Sequence, residues 1–204
     1  MNRIVLLWAI VMFFLSGCSF TVKRDYTAFY AHRPRSIVVV PALNNTKEIS
    51  APYAFISTIT SPLAELGYYV FPVYLTDGLL SDNGLSEVTE IHQLPPSKFG
   101  ELFGADAVLF VTIEDWSESY IVINASGTVK MKYELIDTHT GLSLWQREKV
   151  AVYSNTGIID AAIAAAFSDL ETLAKQANYM VLSPPTGLPA GPYNPEYQTD
   201  QSKF

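Results

Sequence analysis

The sequence predicts an α/β fold in which a mixed β-sheet is sandwiched by helices. Three observations predict it. Ser36–Pro41 (SIVVVP) is a β-branched run too continuous for a half-exposed strand, so both of its faces should be covered. Val129, Met131, Tyr133 and Leu135 alternate with Lys130, Lys132 and Glu134, and a tight turn over Asp137–Gly141 returns the chain antiparallel. Segments 51–66 and 157–180 place apolar residues three and four apart, the stripe of a helix packed on one side.

The elements follow in order. Residues 18–35 read as a tether that becomes ordered near Tyr26. Pro41 ends the first strand, and Asn44-Asn45-Thr46 forms a loop at its carboxyl end. Phe55, Ile59, Leu63 and Leu66 carry the stripe of the first helix. Pro62 lies inside it and should kink or split it, because proline removes a donor and crowds the preceding turn. Gly67 is its C-cap. Tyr68–Val73 is a second strand, with Pro72 marking its end. A short helix over 74–82 is broken by Asn83-Gly84, and another runs from Pro95-Pro96 to Phe103 before Gly104. Asp106–Trp116 is a third strand, 119–137 holds one or two more, and Leu142–Tyr153 returns. Ile159, Ile163, Phe167, Leu170, Ala174 and Ala177 stripe the longest helix. Five of the twelve prolines then fall between Pro184 and Pro195, without a periodic apolar face. Residues 36–182 therefore read as one α/β domain and 183–204 as a proline-rich tail, disordered or loosely packed. A parallel βαβ half precedes an antiparallel half covered by a helix.

Composition excludes whole classes. At 49% apolar and 16% charged residues the chain is no disordered polymer. A net charge of −7 argues against non-specific nucleic-acid binding. One cysteine excludes a disulfide framework and a cysteine-cluster metal site. That cysteine has a telling position. Arg3 is followed by an apolar run from Ile4 to Leu15, which as a helix is about 18 Å long, too short for a bilayer and right for a secretory signal. Leu15-Ser16-Gly17-Cys18 then matches the bacterial lipobox. Residues 1–17 are expected to be removed by cleavage between Gly17 and Cys18, and Cys18 to carry diacylglycerol on its thiol. Two or more acyl chains anchor a protein stably. Ser19, where retention at the inner membrane would call for Asp, favours the outer membrane, with the domain facing the periplasm unless it is exported further.

Chemistry is sparse. Glu114, Asp115 and Glu118 cluster after the third strand, a pattern that a cation site or an acid/base pair would use, and read by default as a solvated strand end. His32, His92 and His139 lack metal-ligand spacing, and His139 should be exposed in the hairpin turn. Gly100 and Gly104 lack the Lys-Ser/Thr of a phosphate loop, and no serine sits in a nucleophile elbow. Asn44 and Asn45 follow a strand end where open α/β sheets bind ligands, which makes them the candidate ligand loop. Tyr68, Tyr69, Phe71 and Tyr74 crowd one strand and its exit and read first as core. No metal or cofactor is expected.

Ser36–Thr46, Pro62–Pro72, Gly104–Trp116 and Glu134–Trp145 together resemble a family of bacterial lipoproteins of unknown function that share the lipobox start and proline-rich end. The strand-Pro-x-x-Asn pattern, Gly-Ala-Asp-x-Val and the Asp-x-x-Thr-Gly hairpin are also similar to CsgG, the curli-secretion lipoprotein, and more weakly to the N-terminal domain of TolB and to LpoB. The resemblance implies a non-catalytic, outer-membrane-attached component of an envelope assembly or export complex, with a CsgG-like lipoprotein or a second copy as partner. It also leaves a regulatory module of peptidoglycan or envelope biogenesis, like LpoB, as an alternative, and an envelope hydrolase as a weaker one. Residues 117–155 could supply the extra hairpins of a pore subunit, but Lys130, Lys132, Arg147 and Lys149 at mid-strand assign them to a soluble sheet.

Overall fold

The computed structural model describes residues 25–121, 124–156 and 170–204. The elements run α1 (Thr27–His32), β1 (Ser36–Val39), β2 (Leu43–Asn44), α2 (Ala51–Glu65), β3 (Tyr69–Val70), α3 (Val73–Asp82), α4 (Val88–Ile91), α5 (Pro96–Phe103), β4 (Ala107–Ile121), β5 (Asn124–Asp137), β6 (Ser143–Thr156) and α6 (Leu170–Leu182), with a final 3-10 turn over Asp200–Lys203. They build the expected mixed α/β architecture: a six-stranded sheet ordered β3-β1-β4-β5-β6, with β2 also paired to β4. β1 runs parallel to β3 and β4, and β2 parallel to β4, whereas β4–β5 and β5–β6 are antiparallel.

β1 explains the two layers. Ile37 and Val39 point into the core beneath α2 and α6, while Val38 and Val40 point into a smaller core with Leu80, Ile91 and Phe99 from α3, α4 and α5. Both faces of this strand are covered, as its unbroken β-branched run demands. Its start is fixed by Asp106, whose Oδ2 accepts the amides of Arg35 (2.9 Å) and Ser36 (3.1 Å). Inside the larger core a polar relay joins three elements. Tyr133 Oη donates to Asn178 Oδ1 (2.7 Å), Asn178 Nδ2 donates to Thr58 Oγ1 (3.0 Å), and Thr58 Oγ1 donates to the Ala54 carbonyl (2.9 Å).

Several expectations need correction. α2 is a single helix through Pro62, not split there; the proline is buried near the helix's carboxyl end, where packing offsets the lost bond. The second strand is only two residues long, because Pro72 has no amide to continue the ladder. Strand β4 extends to Ile121, so residues 119–121 belong to it and not to the strand that follows. Its ladder with β5 shifts register between Ile113 and Asp115, so Glu114 is an extra residue. That bulge changes the alternation and lets both Ile113 and Trp116 face the core. Of the helix expected over 157–180, the described part is α6, and residues 157–169 lie outside the described residues.

The largest correction is at the carboxyl end. The expected loose tail is packed. Leu188 is fully buried and Asp200 nearly so. Gly187 and Thr186 carbonyls accept Tyr26 Oη (2.7 Å) and Trp145 Nε1 (3.1 Å), and Tyr68 Oη donates to the Pro189 carbonyl. The amides of Gly191 and Tyr193 donate to the carbonyls of Leu66 (2.8 Å) and Gly67 (3.0 Å), so the tail caps the end of α2. Gly67 permits this approach: its φ is +87°, and a Cβ there would stand 2.4 Å from the Asn194 nitrogen. The order of this segment comes from backbone hydrogen bonds and glycine contacts, which leave no apolar period to read. At the other end, Tyr26 and Phe29 of the α1 region are buried in the larger core, in the segment expected to become ordered near Tyr26.

Candidate functional site

An apolar depression lies where the parallel half of the sheet ends. After Val40 the chain leaves β1 at Pro41, crosses Ala42 and forms β2, while α2 starts on one side and α3 on the other. Between them is a cleft of about 600 Å³. Leu80 and Ile91 form buried parts of its lining, and Ile56, Val73 and Leu85 add apolar surface. Ile49 and Tyr53 also line it and are 82% and 73% exposed. The charged groups among its lining residues are carboxylates, Asp77 and Glu87. Burial pushes the Asp77 carboxyl up from its ordinary range. The far wall, α4 and its flanks, is pinned to β1: His92, the residue after α4, makes a 2.9 Å hydrogen bond through Nε2 to the Pro41 carbonyl. A carbonyl only accepts, so Nε2 carries the proton. Burial pushes the His92 pKa down, and the hydrogen bond to Pro41 opposes that shift.

The candidate ligand residues divide here. Asn44 lines the cleft, and Asn45 is exposed beside it with its amide donating to the Ile113 carbonyl (2.9 Å). Asn44 is a strand residue and not part of a loop, because β2 forms there. Its side-chain atoms are engaged locally: Oδ1 accepts from the Thr46 amide (3.0 Å) and hydroxyl (2.8 Å), and Nδ2 donates to the Glu48 carbonyl (2.8 Å). The Asn44 side chain therefore shapes the turn before α2. What this residue can offer a ligand is its backbone.

The other sequence candidates lie elsewhere. Glu114 pairs with Lys132 at 3.0 Å, beside the Lys130–Glu148 pair at 3.2 Å, on the face of β4–β6 away from the larger core. These pairs are partly exposed and contribute little to stability. Among the described residues no group of three or more His, Cys, Asp or Glu could hold a metal ion. His32 Nδ1 lies 3.1 Å from Asp137 Oδ2 and clasps α1 to the hairpin turn, and His139 is exposed. Burial alone would raise the Asp137 carboxyl, but hydrogen bonds from the Thr140 amide and hydroxyl, and the His32 ring, outweigh it and hold it below its ordinary value. Tyr68 is core and Phe71 half-buried, whereas Tyr69 and Tyr74 are exposed. Gly17 and Cys18 lie outside the described residues. Sequence reasoning missed Ile49, Tyr53 and Asp77; the available signal was that Ile49 precedes α2 and Tyr53 stands off its apolar stripe.

A family model described as "Putative lipoprotein GNA1162-like" matches residues 24–185. The chain belongs to the GNA1162-like lipoprotein family. It is 33% identical over 172 residues to the "Putative lipoprotein NMB1124/NMB1162" of Neisseria meningitidis serogroup B, a match covering 78% of this chain and 80% of that one. The crystal structure of lipoprotein GNA1162 from Neisseria meningitidis is similar with a TM-score of 0.57 at 30% identity, covering 65% of this chain and 94% of the other. A PelC dodecamer from Paraburkholderia phytofirmans shares the fold, with a TM-score of 0.50 at 20% identity over 74% of this chain and 88% of that one. Membership in the GNA1162-like family makes the chain a bacterial lipoprotein, and no described helix is long and apolar enough to cross a membrane.

Proposed function

We propose that the mature protein begins at Cys18, is acylated there, and is held at the periplasmic face of the outer membrane as a non-catalytic docking component of an envelope assembly or export complex. Its partner is a CsgG-like lipoprotein or a second copy of itself. The observation that carries the reading is the distance between lipobox and fold. Membership in a lipoprotein family supports acylation, and the described fold starts at Asp25, seven residues after Cys18. Seven residues reach at most about 25 Å. The lipid therefore confines the domain within a thin layer beside the bilayer, which raises its effective concentration for anything else on that surface. A short leash suits docking between membrane neighbours. It does not suit reaching deep into the periplasm, as the LpoB-like alternative requires.

The test is fractionation. Cys18→Ala should move the protein from the membrane pellet to the soluble or precursor fraction, and wild-type protein should sediment with outer-membrane density. A Cys18→Ala protein that still sediments with membranes and still carries fatty acid would overturn the anchor. Crosslinking in whole cells followed by mass spectrometry should return envelope lipoproteins or the chain itself.

A further inference from the structure

The cleft at the end of β1 has an incomplete sheet along one side. β1 and β2 lie in line along the same edge of β4, β1 against Ala107–Leu109 and β2 against Thr112–Ile113. On the outer side of β1 stands β3, paired at Ser36 and Ile37. β3 stops at Val70, and the chain turns into α3 at Val73. The corresponding place outside β2 holds no strand among the described residues. The Asn45 amide donates to Ile113, so Leu43 and Asn45 turn their backbone groups toward β4. By strand alternation the amide and carbonyl of Asn44 point the other way, along the free edge. That edge lies in the lining of the cleft, with Asp77, Ile49 and Tyr53. Unpaired strand edges beside apolar pockets recruit extended peptides: the backbone supplies hydrogen bonds and the pocket selects the side chain.

We infer that this cleft takes an extended peptide segment of a partner protein, laid beside β2 as an added strand, with an apolar side chain between Tyr53 and Leu80 and a lysine or arginine against Asp77 and Glu87. Charge complementarity selects this occupant. The cleft is lined by two carboxylates and no Lys, Arg or His, and the whole chain carries a net charge of −7. Asp77 and Glu87 are both exposed in the cleft lining, where a cationic side chain can reach them. A bound apolar side chain would in turn cover Ile49 and Tyr53.

The inference rests on the docking role proposed above, and its test is independent of the membrane anchor. The probe is a phage-displayed library of random nine-residue peptides, panned against the full mature chain in detergent micelles. Enriched peptides should alternate apolar residues with one Lys or Arg. A synthetic copy should lose at least tenfold in affinity with Asp77→Lys, a substitution on the exposed side of α3. On wild-type protein, bound peptide should slow hydrogen exchange at the Asn44 amide. No enrichment, enriched peptides without a basic residue, affinity indifferent to Asp77→Lys, or unchanged exchange at Asn44 would each overturn the proposal. Crosslinks from Tyr53 to a second copy of the chain in place of peptide would overturn it too. Failure of the peptide with Cys18-dependent membrane attachment intact would remove this cleft as the docking site and leave the anchored function standing.

Discussion

Tyr133 starts a buried hydrogen-bond relay in the larger core. Its hydroxyl satisfies Asn178, which in turn serves Thr58, so one oxygen ties β5 to α6 and α2. Tyr133→Phe leaves the fully buried Asn178 short of a donor and should cost about 1–3 kcal/mol. Urea unfolding of the two proteins at pH 7 measures it, and matching midpoints would show the relay to be dispensable. His92 sets a pH dependence of its own. Its folded pKa lies below the reference 6.5 because burial disfavours the charged ring. The unfolded chain therefore takes up the proton first. Stability is full above about 6.5 and erodes as pH falls from there toward the folded value. His92→Gln keeps a donor for Pro41 and removes the titration, so its loss of unfolding free energy between pH 7.5 and 5.5 should be smaller than that of the wild type. Equal losses would assign the erosion to other groups. Asp137 acts lower down: its depressed carboxyl stabilises above the reference 3.8 and loses that contribution as pH falls through its folded value.

Among the elements, the carboxyl-terminal segment contributes far more than its composition suggests. Removing residues 184–204 would strip Leu188 from the core, take away the Gly187 and Pro189 carbonyls that accept the Tyr26 and Tyr68 hydroxyls, and uncap the Leu66 and Gly67 carbonyls. One buried leucine and several hydrogen bonds together come to roughly 3–5 kcal/mol. The truncated protein should melt well below the full chain by circular dichroism or fail to fold, and an unchanged melting curve would refute this account. The contrast with β1 is physical. Ser36–Pro41 was legible because burial on both faces selects β-branched residues at every position. The tail's partners are backbone carbonyls, which any side chain can accompany. Glu114 shows the same blindness on a smaller scale: a bulge changes which face a residue occupies without changing the residue types. β2 was hidden by length, since two residues cannot show a period, and Asn44 reads as a turn former whether or not its backbone joins a ladder.

At the scale of the whole molecule, the sheet divides into a parallel half and an antiparallel half. The parallel half ends in the cleft, as the rule for open α/β sheets leads one to expect from Ser36–Thr46 alone. What the sequence hid was the occupancy of that place by Ile49, Tyr53 and Asp77, which belong to three-dimensional neighbours and to no shared motif. The antiparallel half presents paired charges, Glu114–Lys132 and Lys130–Glu148, on a face the smaller helices leave open. Crosslinks in whole cells should concentrate at the cleft end if the peptide proposal holds.

The ring of Phe204 packs against that of Tyr26, with centroids 5.1 Å apart. Phe204 thus sits beside the part of the described fold nearest in sequence to the proposed acylation site at Cys18. A fluorophore attached there would report on headgroup distance, and energy transfer to a labelled bilayer would reveal whether the body lies down on the lipid or stands away from it.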